Sequence, residues 1–193
     1  MSETVRTFIA IEMPPEVREY LDRCQDRLRR AGGKVRWVRT DLIHLTLVFL
    51  GEVAVEQLDA LGAAVEGAVA GVSPLALRAA GAGQFPPRGR PRVIWIGFDE
   101  PTGALLALQK AVADATVPFA EKVETRPYRP HLTLGRVRTG GDLHRLSAAV
   151  ADMADRQGPQ FDADEIVVMQ STLSPQGPTY SPLSRVRLVG AGN

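Results

Sequence analysis

The string His-Leu-Thr-Leu occurs twice, at His44–Leu47 and His131–Leu134, and its two copies take up two of the chain's three histidines. They lie 87 positions apart (131 minus 44) in a chain of 193 residues. The same ungapped slide superposes Pro14 on Pro101, Leu21 on Leu108 and Arg39 on Arg126. It also sets Phe8-Ile9-Ala10-Ile11-Glu12 on Trp95-Ile96-Gly97-Phe98-Asp99. A chance tetrapeptide would not bring its flanks along. The chain reads as an internal duplication, a single domain over 1–193 built from two pseudo-repeats, roughly residues 6–92 and 93–189. Each repeat supplies one histidine to a shared site.

Apolar periodicity gives both halves the same order of elements. Thr7–Glu12 is β-prone, and Pro14-Pro15 suits the first turn of a helix whose stripe is Val17, Tyr20, Leu21, Cys24 and Leu28. Gly32-Gly33 stop that helix. Val35–Arg39 and Ile43–Leu50 read as strands, the second ending at Gly51. Val55, Leu58, Leu61, Val65 and Val69 mark a helix closed by Gly71, and Leu75–Ala80 returns as a strand. In the second half Val93–Phe98 is a strand, and Leu105, Leu108 and Val112 mark a helix. His131–Val137 is a strand, and Leu143, Leu146, Val150 and Met153 stripe a helix capped by Asp142. Ile166–Leu173 and Ser184–Val189 complete the strands. Gly81–Arg92 and Ser174–Pro182, both rich in Pro and Gly, read as loops inside the repeats. The expected class is α+β: a bilobal, pseudo-symmetric duplication with two antiparallel sheets facing a central cleft and helices packed outside.

Charge narrows the partners. With 23 basic and 22 acidic residues the net charge is +1, too little for a protein that wraps duplex nucleic acid, so a nucleic-acid partner would be short or locally held. The basic run Arg27, Arg29, Arg30, Lys34, Arg36 and Arg39 reads either as such a contact or as a solvated helix end, which cations favour. The single Cys24 excludes an intramolecular disulfide and suits a reducing cytosol. No apolar run approaches the ~18 residues of a membrane span, and Met1–Arg6 lacks a signal-peptide core. A cytoplasmic protein is expected, with no membrane association and no obligate protein partner.

In a strand, residues i and i+2 share a face. His44 and Thr46 therefore point one way and Leu45 and Leu47 the other, and the same holds for His131 and Thr133 against Leu132 and Leu134. One copy alone would read as a strand with a solvated polar face. Two copies at matched positions can set an imidazole on each side of a bound group, which is what in-line displacement at phosphorus requires. An acid stands behind the leaving oxygen and a base behind the attacking one. Histidines near pKa ~6.5 can fill both roles at neutral pH, and the threonine hydroxyls can hold the non-bridging oxygens. Competing chemistries lack their residues. Two histidines and Cys24 do not make a zinc site, and there is no HExxH, CxxC, nucleophile elbow, P-loop or GxGxxG. No metal or other cofactor is expected. His144 reads as an exposed residue of the fourth helix.

These strings resemble the paired H-x-[ST]-φ motif (HxTx, φ apolar) of the two-histidine phosphoesterase superfamily. Within it they are most similar to the RNA 2′,3′-cyclic phosphodiesterases, LigT-like proteins formerly called 2′-5′ RNA ligases. The context Arg36-Trp37-Val38 and His44 through Glu52 fits that family, as does Tyr128-Arg129-Pro130-His131-Leu132-Thr133-Leu134-Gly135-Arg136. The resemblance covers essentially the whole chain. It implies metal-independent hydrolysis of an RNA-terminal 2′,3′-cyclic phosphate, with His44 as proton donor and His131 as proton acceptor; sequence symmetry alone assigns neither role. It also implies Thr46, Thr133 and Arg136 as phosphate ligands. Strict alternation would point Arg136 away from His131, so a bulge at Gly135 is needed to turn it in; its counterpart in the first half is Phe49. Phe49, Phe85 and Arg129 are candidate nucleotide contacts. The loop Gln84–Arg92, with Phe85, Arg88, Arg90 and Arg92, reads either as such a contact or as an ordinary turn. Two alternatives stay open. One is another activity of the superfamily, such as a 2′,5′-oligonucleotide phosphodiesterase or ligase, or a phosphodiesterase acting on ADP-ribose cyclic phosphate. The other is a non-catalytic module that binds RNA ends.

Overall fold

Residues 3–190 are described by the computed structural model; Met1, Ser2 and residues 191–193, at the ends of the expected domain, lie outside the described residues. Strands are β1 (Thr4–Glu12), β2 (Val35–Trp37), β3 (His44–Ala54), β4 (Leu75–Phe85), β5 (Val93–Asp99), β6 (Leu132–Val137), β7 (Gln157–Ala163), β8 (Glu165–Ser174) and β9 (Gly177–Arg187). Helices are α1 (Pro15–Arg30), α2 (Leu58–Val69), α3 (Ala104–Thr116) and α4 (Leu143–Ala151). Two antiparallel sheets result, ordered β3-β1-β8-β9 and β2-β6-β5-β4-β7. Each sheet therefore mixes both halves of the sequence. The second half lends β8 and β9 to the sheet holding the first motif, and the first half lends β2 and β4 to the other.

The helices also cross over. α1 and α4 cover the sheet that carries His131's strand, and α2 and α3 cover the sheet of β3. The outward faces of the sheets meet these helices in one core that includes Ile9, Ile11, Leu45, Leu47, Ile94, Ile96, Leu132 and Leu134. Complete burial of one such leucine or isoleucine contributes about 1.5–3 kcal/mol. The leucines of both His-Leu-Thr-Leu strings are thus tied to the core, and the histidine and threonine between them are forced onto the opposite, cleft-facing side. On that side of the first sheet Phe8, Ala10, Val167 and Met169 form a second small cluster, with Tyr180 packed against it.

The duplication is visible in the backbone register. β1 pairs with β3 through Ala10↔Thr46 and then Ile9↔Val48, and β5 pairs with β6 through Trp95↔Thr133 and then Ile94↔Gly135. Leu47 and Leu134 are each the extra residue of a β-bulge at the end of their string. By the same pairing Ala10 corresponds to Trp95, an offset of 85 (95 minus 10), not 87. The slide that superposes the motifs therefore misplaces the first strands by two residues, a slip that preserves the face each side chain occupies.

Three expectations need correction. The expected loop Gly81–Arg92 begins as strand: β4 runs to Phe85, because a Cβ at Gly83 would stand 2.2 Å from the Trp95 ring, so this glycine serves close packing. The expected loop Ser174–Pro182 is a tight hairpin turning at Pro175-Gln176. β9 tolerates Pro178 and Pro182 because it is an edge strand, with a register shift beside Pro182. β7 has no counterpart in the expected strands. Smaller differences concern ends. β3 continues past Gly51 (φ +82) through a second bulge, β2 stops at Trp37, and His131 precedes its strand by one residue. Asp142 caps α4 as expected, accepting from the Arg145 N–H at 3.0 Å.

Candidate active site

Each histidine is fixed by the backbone two residues before it. The Nδ1 atom of His44 lies 3.0 Å from the Leu42 carbonyl oxygen, and that of His131 lies 2.7 Å from the Arg129 carbonyl oxygen. A carbonyl only accepts, so Nδ1 carries the hydrogen in both rings, and Nε2 is left as the reactive nitrogen. Leu42 and Arg129 are themselves 87 residues apart (129 minus 42), so the anchoring is duplicated along with the motif. Among the described residues neither the Thr46 nor the Thr133 hydroxyl has a hydrogen-bond partner, which leaves both open to an anion.

The ring environments differ. His44 stacks on Phe8 (centroids 4.7 Å apart, planes 25° apart) and meets Tyr180 edge-on at 5.1 Å. Burial holds its pKa below the usual histidine value, while the Leu42 carbonyl and the Glu12 carboxylate pull in the other direction. Glu12 is the register partner of His44 and is shared with Arg185, whose Nη1 lies 2.8 Å from it and 2.6 Å from Glu165. His131 meets Phe85 edge-on at 5.1 Å and Trp95 at 6.4 Å.

Arg136 reaches the cleft face. The bulge at Leu134 shifts the alternation, so Arg136 pairs with Val93 on the face that Thr133 and Trp95 share. Its charge acts on the Tyr180 hydroxyl in the opposite sheet, offsetting part of the upward push that burial gives that phenol. Gly135 therefore lies at the bulge that the resemblance required, with the displaced residue one position earlier. The two sheets meet elsewhere too. Arg36, register partner of Arg136, brings a guanidinium nitrogen 3.9 Å from where a Cβ at Gly177 would sit. Tyr128 donates to the Thr46 carbonyl at 2.9 Å and ties the segment before His131 to the first motif.

Of the other anticipated residues, Phe49 projects from the His44 face with 67% exposure, its ring 6.1 Å from Phe8. Phe85 touches His131, and Arg129 is exposed beside it. His144 is exposed on α4, away from both motifs in the chain. Arg27, Arg29 and Arg30 form the last turn of α1, where Arg29 pairs with Asp26 and lies over the Trp37 ring; Arg36, the register partner of Arg136, shares its cleft face.

Sequence reasoning missed Phe8, Trp95, Tyr128 and Tyr180, and it missed a pair of glutamines. Gln25 on α1, 1% exposed, donates to the Val38 carbonyl at 2.7 Å and to that of Leu134 at 3.0 Å. Gln109 on α3 donates to the Leu47 carbonyl at 3.3 Å. Leu47 and Leu134 are the bulge residues, so each helix sends an amide to the carbonyl that its bulge displaces. A buried glutamine four residues after Leu21, on the apolar stripe of α1, was the available signal. Among the described residues no group of three or more His, Cys, Asp and Glu side chains is arranged to hold a metal ion.

Known proteins share the sequence pattern and the fold. The family described as LigT like phosphoesterase matches the chain twice, over residues 11–95 and 96–180. An RNA 2′,3′-cyclic phosphodiesterase of Methanothermobacter thermautotrophicus is 30% identical over 184 residues, covering 95% of this chain and 99% of that one. One of Thermotoga maritima is 30% identical, covering 96% and 97%. Among solved structures, E. coli LigT complexed with 3′-AMP superposes with a TM-score of 0.75 at 27% identity, covering 96% of this chain and 99% of that chain.

Proposed function

Because the chain belongs to the LigT-like phosphoesterase family, we infer that it hydrolyses the 2′,3′-cyclic phosphate at an RNA end to a 2′-phosphomonoester, with no metal or other cofactor. The observation that carries this reading is the matched pair of imidazoles. Each has Nδ1 fixed to a carbonyl and Nε2 open, and each shares a face with an unengaged threonine hydroxyl. The relatives' printed name, RNA 2′,3′-cyclic phosphodiesterase, supplies the substrate.

The cyclic ester has already consumed the 2′-hydroxyl, so the nucleophile is water. His131 takes a proton from that water as it attacks phosphorus. His44 gives a proton to the 3′ oxygen as the P–O3′ bond breaks, and the phosphate remains on the 2′ position. The assignment of the two roles follows the family resemblance. Thr46, Thr133 and Arg136 hold the non-bridging oxygens, where fixed donors stabilise the charge of the pentacoordinate transition state. Phe49, Phe85 and Arg129 flank the nucleoside. Cys24 is a free, buried thiol, consistent with the reducing cytoplasm in which we place the enzyme; no helix among the described residues is long and apolar enough to cross a membrane.

Phosphorus NMR of a short RNA ending in a 2′,3′-cyclic phosphate tests the reading. The cyclic signal should give way to a 2′-monoester, and a DNA oligonucleotide, which cannot form the cyclic ester, should be inert. A dominant 3′-monoester would exchange the two histidine roles relative to the ribose, and an unchanged cyclic signal would refute the activity.

A further inference from the structure

Past Arg136, β6 runs on into a cluster of arginines at the end of the sheet. Arg138 lies two residues further along, about 6.5 Å at ordinary strand rise, roughly the spacing of successive phosphates in an extended nucleic-acid strand. Arg90 and Arg92 approach from the β4–β5 loop, and with Arg138, Pro91, Val137 and Thr139 they line an open trough of about 500 Å³. The loop is fixed there by its backbone. The Arg92 N–H donates to the Phe85 carbonyl at 2.7 Å, and the Val137 N–H donates to the Arg92 carbonyl at 2.8 Å. Phe85, whose carbonyl anchors the loop at Arg92, touches His131, so the loop that bears Arg90 and Arg92 begins beside the second motif.

Among the described residues no carboxylate pairs with Arg90, Arg92, Arg136 or Arg138. Elsewhere the chain does neutralise arginines, as in Arg39–Asp41, Arg126–Glu124 and Arg185 with Glu12 and Glu165. Cations gathered without an acid repel one another and raise the local concentration of anions. The guanidinium fork is matched to phosphate oxygens.

We propose that this trough holds backbone phosphates of the RNA strand immediately upstream of the cyclic end, so that the protein takes oligonucleotide ends in preference to cyclic mononucleotides. The proposal rests on the phosphodiesterase reading of His44 and His131. A 2′,3′-cyclic phosphate is necessarily the 3′ end of its chain, so the remaining nucleotides leave the site in one direction. The trough continues the strand that carries the second motif.

The test uses fluorescence anisotropy of a 5′-labelled tetraribonucleotide ending in a 2′-phosphate, with the native protein and the double variant Arg92→Gln, Arg138→Gln. Two phosphate contacts predict a roughly sevenfold loss of affinity between about 50 and 200 mM salt, from a slope of about −0.7 per contact for a single strand. The double variant should bind about tenfold more weakly, with the salt slope reduced by about 1.4, while kcat/KM on a cyclic mononucleotide is unchanged. Unaltered affinity and salt slope in the double variant would overturn the proposal. So would loss of mononucleotide turnover in it, or tighter binding of a glutamate-rich peptide than of the tetranucleotide. If the native protein hydrolyses neither a cyclic mononucleotide nor a cyclic-ended tetranucleotide, the phosphodiesterase reading fails, and the anisotropy still decides the trough.

Discussion

Gln25→Leu keeps the side chain's bulk and removes three hydrogen bonds. Two run from Nε2 to the Val38 and Leu134 carbonyls, and one runs from Arg29 to Oε1 at 2.9 Å. Arg29 is 44% exposed and finds water instead, so its bond adds little. The Leu134 carbonyl keeps the Val38 N–H at 2.9 Å, whereas the partly buried Val38 carbonyl loses its side-chain donor. A lost intramolecular hydrogen bond costs about 1 kcal/mol and an orphaned, partly buried carbonyl about 1–3, together about 2–4 kcal/mol. For a chain of 193 residues, each kcal/mol moves Tm by about 2–4 °C, so a fall of about 5–15 °C is expected. Gln109→Leu is the control. It loses one bond at 3.3 Å from a half-buried side chain, which predicts about 0.5–1 kcal/mol and a Tm loss of a few degrees. Because Gln25 holds the bulge that turns Arg136 into the cleft, Gln25→Leu should also raise KM for a cyclic phosphate several-fold at temperatures where the fold is intact. The shape of the pH profile should not change. Scanning calorimetry and steady-state kinetics read both effects. Equal Tm losses in the two variants, or a loss below about 2 °C for Gln25→Leu, would refute the reasoning.

His44→Ala and His131→Ala should each lower turnover by about 10²–10⁴-fold, and near-native turnover in either would end the two-histidine mechanism. His44→Ala should also lower Tm by a few degrees, since it removes a stacked aromatic contact worth about 0.5–1.5 kcal/mol. Activity should survive EDTA; loss that a divalent ion restores would show that a metal takes part. Burial keeps the folded-state pKa of His44 below its unfolded value of about 6.5. The folded protein therefore binds that proton more weakly. Stability is full above about pH 6.5, declines as pH falls through that value, and levels off below the folded pKa. Melting curves at pH 7.5 and 5.5 should show a larger acid loss for the native protein than for His44→Gln, and equal losses would contradict it.

The sequence exposed whatever was encoded as pattern in one strand or helix. The two His-Leu-Thr-Leu strings, the stripe of α1 and the Asp142 cap are local, and each sits where its periodicity put it. What stayed hidden depends on neighbours distant in the chain. β7 contains Pro159, and only its last four residues alternate, exposed Gln160 and Asp162 against buried Phe161 and Ala163, too short a pattern to announce a strand. It is a strand because β4 offers it an edge. Gly83 looked like loop chemistry and is a flat seat for Trp95. The exchange of β4 and β8 between sheets is invisible to a repeat comparison, because a strand lent by one half reads the same as a strand kept. Tyr180, which touches His44, arrives on a lent strand, and no spacing in the first half could have announced it.

Duplication yields two equivalent imidazoles, yet hydrolysis needs one acid and one base. The backbone does not distinguish them, since both Nδ1 atoms donate to the carbonyl two residues back. The difference lies in what surrounds the rings. His44 is stacked on Phe8 and flanked by Tyr180, and burial disfavours its imidazolium. A ring so placed is largely neutral in the empty cleft at neutral pH. The entering phosphate is an anion beside Nε2, and an opposite charge at that distance favours the protonated ring. His44 should therefore take up its proton together with the ligand. Isothermal titration of a 2′-mononucleotide at pH 7.5, in two buffers of different ionisation enthalpy, measures that uptake. The apparent enthalpy should differ between buffers by a net gain of protons, and the difference should shrink in His44→Gln while persisting in His131→Gln. Uptake lost only with His131 would assign the donor role to the second histidine, and equal uptake in all three proteins would show that neither ring takes up the proton.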